Sequence, residues 1–386
     1  MFVLLTIASY GQQMRIGLFR KMKTQRITLA YNDGDYRVFG DSTLVATIQL
    51  NEFVDISANP NGTVSLKKGT IFLGNFTTVR LIQTKPNTSL ILTPKSPVAK
   101  LRKYKDDFII SKDVSGLKII NLVDMNHYLA GVIESEGGGG RDLEYYKVQA
   151  VMSRTYAIKY PHRHHEEGFD LCDNVHCQAY HSMLRFTAKI DTAVQQTKGL
   201  VMTDKEGNLL DSYFHANCGG QTSPSEYVWN KPIPNLFSFK DTFCIYTRQA
   251  TWEKKIPKWK WKSFLVNTYN FPVNNPDYKN QLYTFSQPYR KAFYISPLLG
   301  IPLRDLRKKF RLKSTFFSCY PEGDYVILKG RGFGHGIGLC QEGAMNMAKQ
   351  GFNFLQIAQF YFPNANFKNI NEELYFRQES GNIFSY

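Results

Sequence analysis

Between Met14 and Leu101 short β-branched stretches alternate with turn signals, and this pattern limits the fold more than any other feature of the chain. Stretches such as Ile27-Thr28-Leu29 and Thr77-Thr78-Val79-Arg80-Leu81-Ile82 are separated by Asn32-Asp33-Gly34, Asn59-Pro60-Asn61-Gly62 and Lys68-Gly69. β-Branched side chains pack well on a pleated surface, and Asn, Asp and Gly accept the left-handed backbone of tight turns. An antiparallel β domain follows. It pairs no nucleophile with a base, so a supporting or binding role is expected of it.

From about Ser115 the texture changes. Residues 126–133 can form a short helix with Leu129, Val132 and Ile133 on one face. Glu134-Ser135-Glu136 follows, then four glycines, Gly137 to Gly140. Each glycine inside a helix costs ~1 kcal/mol relative to alanine, so the helix should stop before them. Asp142 is a good N-cap for a helix through Tyr160, ahead of Pro161. Leu143, Tyr146, Ala150, Ala157 and Arg154 would share its inner face. Residues 188–197 are helical in pattern and end at Gly199; 200–203 and 209–214 read as a hairpin. Residues 250–315 carry tryptophans and lysines without a catalytic signature. After a glycine-rich loop, Gly330 to Gly338, two more helices are expected, over 341–351 and ending before Pro363.

The fold class expected is therefore α+β: an N-terminal antiparallel β-rich domain over 14–115, then a mixed α+β catalytic domain over 116–386, with 250–315 its less typical segment. A chain of 386 residues can bury the cores of two such domains. Residues 1–13 hold the apolar run Phe2 to Tyr10 and read as a truncated export signal lacking its positive n-region. A buried first strand is the alternative. No other stretch has the ~18–20 apolar residues that a membrane helix needs.

Lysine and arginine number 48 against 32 acidic residues, a net charge of +16 that draws the protein toward polyanions. The basic groups are short and scattered, as at Arg20-Lys21-Met22-Lys23, Lys258-Trp259-Lys260-Trp261-Lys262 and Lys308-Lys309. No zinc-finger, RRM or helix-turn-helix pattern accompanies them, so nucleic acid is not the expected partner. An anionic cell wall satisfies the charge equally well.

Three segments are more specific. The first is Tyr128-Leu129-Ala130-Gly131-Val132-Ile133-Glu134-Ser135-Glu136, followed by Lys147-Val148-Gln149-Ala150-Val151-Met152-Ser153-Arg154-Thr155-Tyr156-Ala157. The second is Phe214-His215-Ala216-Asn217-Cys218-Gly219-Gly220-Gln221-Thr222, with Trp229 soon after. The third is Gly332-Phe333-Gly334-His335-Gly336-Ile337-Gly338-Leu339-Cys340-Gln341-Glu342-Gly343-Ala344. In this order, over residues 116–366, they resemble the signature blocks of the SpoIID/LytB family.

The resemblance implies an exported lytic transglycosylase, periplasmic or associated with the cell wall, acting on peptidoglycan glycan strands from which stem peptides have been removed. The family's catalytic glutamate lies in a Glu-Met-Pro turn before the Gln-Ala…Arg-Thr-Tyr-Ala helix, and outward alignment puts it on Glu136. Here glycines replace Met-Pro. The chemistry agrees: glycosidic cleavage needs a carboxylic acid kept neutral by a raised pKa to protonate the leaving oxygen. Ordinary glycosidases add a second carboxylate. A lytic transglycosylase needs one, because the sugar's own C6 hydroxyl attacks and the same glutamate takes its proton. Glu134 is the local competitor. His176, His215, Gln221, His335 and Gln341 are the candidates for orienting sugar hydroxyls or N-acetyl groups, although a glycine-rich loop around one histidine is often only a tight backbone path.

Among six cysteines, Cys172 and Cys177 sit amid histidines in the 162–181 loop. Two thiolates and an imidazole suit Zn²⁺. Some family members bind zinc through a His and two Cys here, and His165, Cys172 and Cys177 match best, with His164 the runner-up. A Cys172–Cys177 disulfide is the alternative. Two thiolates neutralise much of the metal's charge, which favours a structural over a hydrolytic role. The rival functional class is a non-catalytic wall-binding factor, since the family also includes enhancers of cell-wall amidases.

Overall fold

The computed structural model describes residues 13–185 and 187–370. The apolar run expected as an export signal lies outside the described residues. The chain divides into two compact units: one runs to Val201 and resumes at Lys368, the other is Met202–Phe367. The α+β expectation is borne out, with strands dominating the first hundred residues.

In the first unit the strands are β1 (Met14–Leu18), β2 (Arg26–Asp33), β3 (Tyr36–Gly40), β4 (Thr43–Ile48), β5 (Phe53–Ala58), β6 (Val64–Lys68), β7 (Ile71–Phe76), β8 (Thr78–Gln83), β9 (Ser89–Ser96), β10 (Arg102–Lys105), β11 (Asp107–Asp113), β12 (Gly116–Val123) and the two-residue β13 (Leu171–Cys172). They form a seven-stranded sheet, ordered β13-β1-β12-β11-β8-β3-β4, and a six-stranded sheet, β10-β9-β2-β5-β6-β7. The sheets meet face to face where β12, β3 and β8 approach β5, β7 and β6. Period-two patterning explains the packing: Val54 and Ile56, Val64 and Leu66, Val79 and Leu81 are fully buried while their neighbours turn outward. Each such side chain contributes about 1.5–3 kcal/mol by leaving water.

Among the described residues of this unit the α-helices are α1 (Met125–Gly137), α2 (Leu143–Lys159) and α3 (Thr187–Gln196). β12 runs straight into α1, whose start is fixed by the Asp124 carboxylate accepting from the Asn126 amide at 2.8 Å. α1 is longer than its sequence suggested and ends inside the glycine run, at Gly137. Its end is set by packing: a Cβ on Gly137 would lie 2.9 Å from the Tyr145 ring of α2. Gly138, at φ 65°, then takes the chain out of the helix. Asp142 stands at the N-cap of α2 as expected, though its side chain makes no capping bond. α2 is buried on nearly every side, Arg154 included.

The boundary between the units falls within strand β14 (Leu200–Thr203). The second unit then contains β15 (Phe214–His215), α4 (Glu226–Trp229), β16 (Thr251–Pro257), α5 (Lys258–Tyr269), α6 (Pro276–Lys279), α7 (Leu303–Phe310), β17 (Phe317–Glu322), β18 (Tyr325–Arg331), β19 (Leu339–Cys340), α8 (Gln341–Lys349) and α9 (Phe354–Tyr361). The tryptophan-rich segment is the core of an antiparallel sheet, β16-β18-β17, covered by α5 and α7. Trp261 is fully buried, stacks on Phe310 at 5.1 Å and donates its indole N–H to the Leu282 carbonyl at 2.9 Å. Trp259, two residues earlier, is exposed. A separate parallel pairing joins β15 to β19, setting His215 opposite Cys340.

Candidate functional site

Glu136 sits in the last turn of α1. Facing it is a segment of the first unit, residues 179–185, whose amides are read one after another by three consecutive side chains. Ala179 N–H donates to Glu136 Oε1 at 2.9 Å, His181 N–H to Ser135 Oγ at 2.7 Å, and Met183 N–H to Glu134 Oε1 at 3.0 Å. Arg185 N–H reaches Glu134 Oε2 at 3.3 Å. Glu134 thus spends both oxygens on backbone amides. Glu136 spends one, and among the described residues nothing donates to its Oε2.

Burial raises the Glu136 pKa above the ordinary carboxylate value, with the Ala179 amide opposing it. A carboxyl that is desolvated, singly hydrogen-bonded and still has a free oxygen can hold a proton and hand it on. Behind it the segment is pinned by a buried aromatic cluster. Tyr180 packs at 5.1 Å from both Tyr104 and Tyr128 and donates its hydroxyl to Asn121 Oδ1 at 2.9 Å. Gly131 of α1 allows this approach, since a Cβ there would meet the Tyr180 ring at 2.3 Å.

The cysteine loop of the same unit begins as a sheet edge. β13 pairs in parallel with β1, Cys172 opposite Gly17, and the chain then turns through Asn174, whose carbonyl accepts from Cys177 N–H at 2.9 Å. The turn gathers His164, Cys172, His176 and Cys177 with all donor atoms within 4.8 Å of one another. The sulfurs are 3.5 Å apart, His164 Nε2 lies 3.4 Å from Cys177 Sγ, and His176 Nδ1 lies 3.9 and 3.7 Å from the two sulfurs. Around a tetrahedral ion with bonds of about 2.0–2.3 Å, ligand atoms stand about 3.3–3.8 Å apart. The set can hold a metal.

Two expectations differ from this placement. His164 occupies the position assigned to His165, because the turn at His165–Glu167 carries the His165 ring outward, edge-on to His162 at 5.9 Å. His164 instead stacks on Phe169 at 4.9 Å, and its Nδ1 meets Glu167 Oε1 at 2.5 Å, a carboxylate–histidine arrangement that orients a ligand ring. His176, expected against substrate, stands beside the sulfurs while remaining exposed.

In the second unit His215 and His335 have ring centroids 5.5 Å apart, and Trp229 lies 5.6 Å from His335. His215 is buried; its Nδ1 meets the Ile337 carbonyl at 3.0 Å, and its Nε2 has no partner among the described residues. Burial and the neighbouring His335 push its pKa well down. Burial, then Arg307, lowers His335 to about 4. The loop carrying His335 is a close backbone path: Gly338, at φ 68°, leaves no room for a Cβ, which would lie 2.1 Å from the Tyr213 carbonyl oxygen. Gln221 is occupied by the protein, accepting from Arg290 N–H at 3.1 Å and donating to Ser238 at 3.2 Å. Gln341, first residue of α8, is buried with its amide nitrogen unpartnered among the described residues.

Sequence reasoning missed Ala179, which acts through its backbone, and the roles of Ser135, Tyr180 and Glu342. Glu342 Oε2 accepts from Asn217 at 2.7 Å and from Gln249 N–H at 3.2 Å, and also contacts Thr247. An amide-mediated contact leaves no mark on side-chain identity.

With this geometry in place, the comparisons with known proteins are consistent. Residues 113–203, from the end of β11 to the end of β14, match the family described as SpoIID, stage II sporulation protein. The chain is 26% identical over 260 residues to stage II sporulation protein D of Bacillus subtilis, covering 62% of this chain and 73% of that one. It is 25% identical over 268 residues to an uncharacterized protein of Brachyspira hyodysenteriae, 66% and 69% of the two chains. It is also 24% identical over 285 residues to an amidase enhancer of Bacillus subtilis, 61% of this chain but 39% of the other. The resemblance to the SpoIID/LytB family is thereby shown. No helix among the described residues is long and apolar enough to cross a membrane.

Proposed function

We propose that the protein acts on the bacterial cell wall as a lytic transglycosylase, cleaving peptidoglycan glycan strands with Glu136 as sole acid and base. The observation that carries this reading is the contrast between neighbours on one helix end: Glu134 is consumed by two amides, and Glu136 keeps a desolvated carboxyl with a free oxygen. Glu136 gives its proton to the glycosidic oxygen as the bond to the anomeric carbon breaks. The C6 hydroxyl of the same sugar closes on that carbon, and its proton returns to the Glu136 carboxylate. No water is consumed, and one end leaves as an anhydro-sugar.

His164, Cys172, His176 and Cys177 would hold Zn²⁺ as a structural centre, since four protein donors close a tetrahedron. When bound, the ion supplies cross-linking of the loop. Cys177 lies two residues before Ala179, whose amide meets Glu136, so an ordered loop keeps that donor in place. For the second unit, by itself, the proposal keeps His215, His335 and Gln341 as groups that orient sugar hydroxyls or N-acetyl groups; the side-chain bonds of Gln221 speak for a positioning role instead. Export to the periplasm or wall belongs to the same proposal.

The similarity to an amidase enhancer favours a second reading, a non-catalytic wall factor that presents glycan to a cell-wall amidase. Mass spectrometry of fragments released from peptidoglycan, with and without stem peptides, separates the two. Anhydro ends are expected. Reducing ends would make the enzyme a hydrolase, and no release by the intact protein would favour the enhancer.

A further inference from the structure

The second unit gathers another set of soft donors, which none of the roles discussed so far uses. Cys218, Asp241, Cys244 and Cys340 are all buried, and one donor atom from each lies within 4.8 Å of all the others. Cys218 Sγ is 3.3 Å from Cys244 Sγ and 3.2 Å from Asp241 Oδ2. Cys340 Sγ accepts from Cys218 N–H at 3.3 Å. The four come from three separate stretches: the turn after β15, the 241–247 loop, and the residue preceding α8.

We propose that these residues form a second metal site, a closed tetrahedral centre of three thiolates and one carboxylate that takes a single Zn²⁺-like ion. With metal–sulfur bonds near 2.3 Å and metal–oxygen bonds of about 2.0–2.2 Å, ligand atoms stand about 3.5–3.8 Å apart, so the 3.2 and 3.3 Å contacts of Cys218 would open by a few tenths of an ångström around an ion. A set this tight encloses one ion. All four donors come from the protein and none is exposed, which is the pattern of a structural site with no position left open for substrate.

The surroundings supply what such a centre needs. Tyr361 donates its hydroxyl to Asp241 Oδ2 at 2.9 Å and Phe243 N–H donates to Oδ1 at 2.9 Å, fixing the carboxylate. Three thiolates and a carboxylate carry two more negative charges than a divalent ion neutralises. The buried Arg290 guanidinium, bonded to the Cys218 carbonyl at 2.7 Å, offsets part of that excess. The consequence is local. Cys340 is the strand partner of His215 and Cys218 follows it by three residues, so an ion here would lock the β15–β19 pair that carries the histidine.

The test is native mass spectrometry of the full chain purified under reducing conditions, with metal content measured on the same sample. The expected result is two ions per chain in the unsubstituted protein and one in Cys172→Ser/Cys177→Ser. Cys244→Ser and Cys340→Ser should also retain one ion, and combining Cys244→Ser with the first pair should leave none. Should those variants fail to fold, alkylation of the unsubstituted protein decides: a chelator should expose Cys218, Cys244 and Cys340 together, in step with loss of the second ion. One ion in the unsubstituted protein that vanishes in Cys172→Ser/Cys177→Ser overturns the proposal. So does a reduced-purified chain lighter by two hydrogens with a mapped Cys218–Cys244 cross-link. The outcome is independent of Glu136 and of glycan cleavage.

Discussion

Replacing each of the two glutamates at the end of α1 with glutamine should separate structure from chemistry. In Glu134→Gln the amide oxygen can keep one bond, to Met183 or Arg185, but its NH₂ must then face the other backbone N–H. One charge-assisted bond is lost and a donor is set against a donor. Bonds to charged groups are worth about 1.5–3 kcal/mol, and the exposure of Arg185 puts this one at the low end. At about 2–4 °C per kcal/mol for a unit of this size, the melt should fall by a few degrees. Turnover at a temperature well below the melt should stay within a few-fold. Glu136→Gln should do the reverse: its oxygen still accepts from Ala179, so the melt holds, while loss of the proton removes about 10²–10⁴ in rate. Thermal melts and release of anhydro-muropeptides, on the same samples, are the assay. A Glu136→Gln protein with normal turnover beside an inactive but stable Glu134→Gln would refute the reasoning.

Other expectations follow from the same geometry. Gly338→Ala must place a Cβ against the Tyr213 carbonyl in a left-handed backbone and should cost about 2–5 kcal/mol by chemical denaturation, whereas Gly140→Ala, left-handed but facing open space, should cost about 1–2. His335 is held neutral, so the unfolded chain binds the extra proton first; stability should fall as pH drops from about 6.5 through about 4, and His335→Gln should reduce that slope in urea titrations while the part due to the neighbouring His215 remains. Because burial raises Glu136, the acid should remain protonated to higher pH than an ordinary glutamate; the Ala179 amide opposes that shift, so weakening this one bond while the carboxyl stays buried should move the limb of the pH–rate profile assigned to it further up, and a limb that moves down would refute the assignment. Cys172→Ser should lower bound metal and the melting temperature together, and Co²⁺ should restore both in metal-stripped unsubstituted protein; a stripped protein that melts normally yet is inactive would give the metal a catalytic role.

Much of this was legible in the residues. Period-two patterning and turn signals marked the sheets, and Asp142, Pro161 and Gly199 marked helix ends within one to three residues. α1 was read too short because glycine propensity was weighed without the Tyr145 ring that makes Gly137 useful. His164 and His165 cannot be told apart by spacing; only the turn at His165–Glu167 decides which ring faces the sulfurs. The second cysteine group was invisible as a motif, since Cys218, Cys244 and Cys340 are brought together by the fold, and the Asp241-x-x-Cys244 spacing was the sole local hint. Residues 250–315 showed no chemistry because their tryptophan and aromatic content builds a core.

The stitching of residues 134–136 to alternate amides at 179, 181 and 183 also sets a reading frame. Alternate N–H groups of this segment meet α1, so a one-residue insertion or deletion between Ala179 and Met183 would put every donor beyond the change out of register while those before it keep their partners. A two-residue change would restore the parity. Length variation here should therefore come in even steps, and side-chain identity at Ala179, which contributes only its amide to Glu136, should drift freely within the space around it.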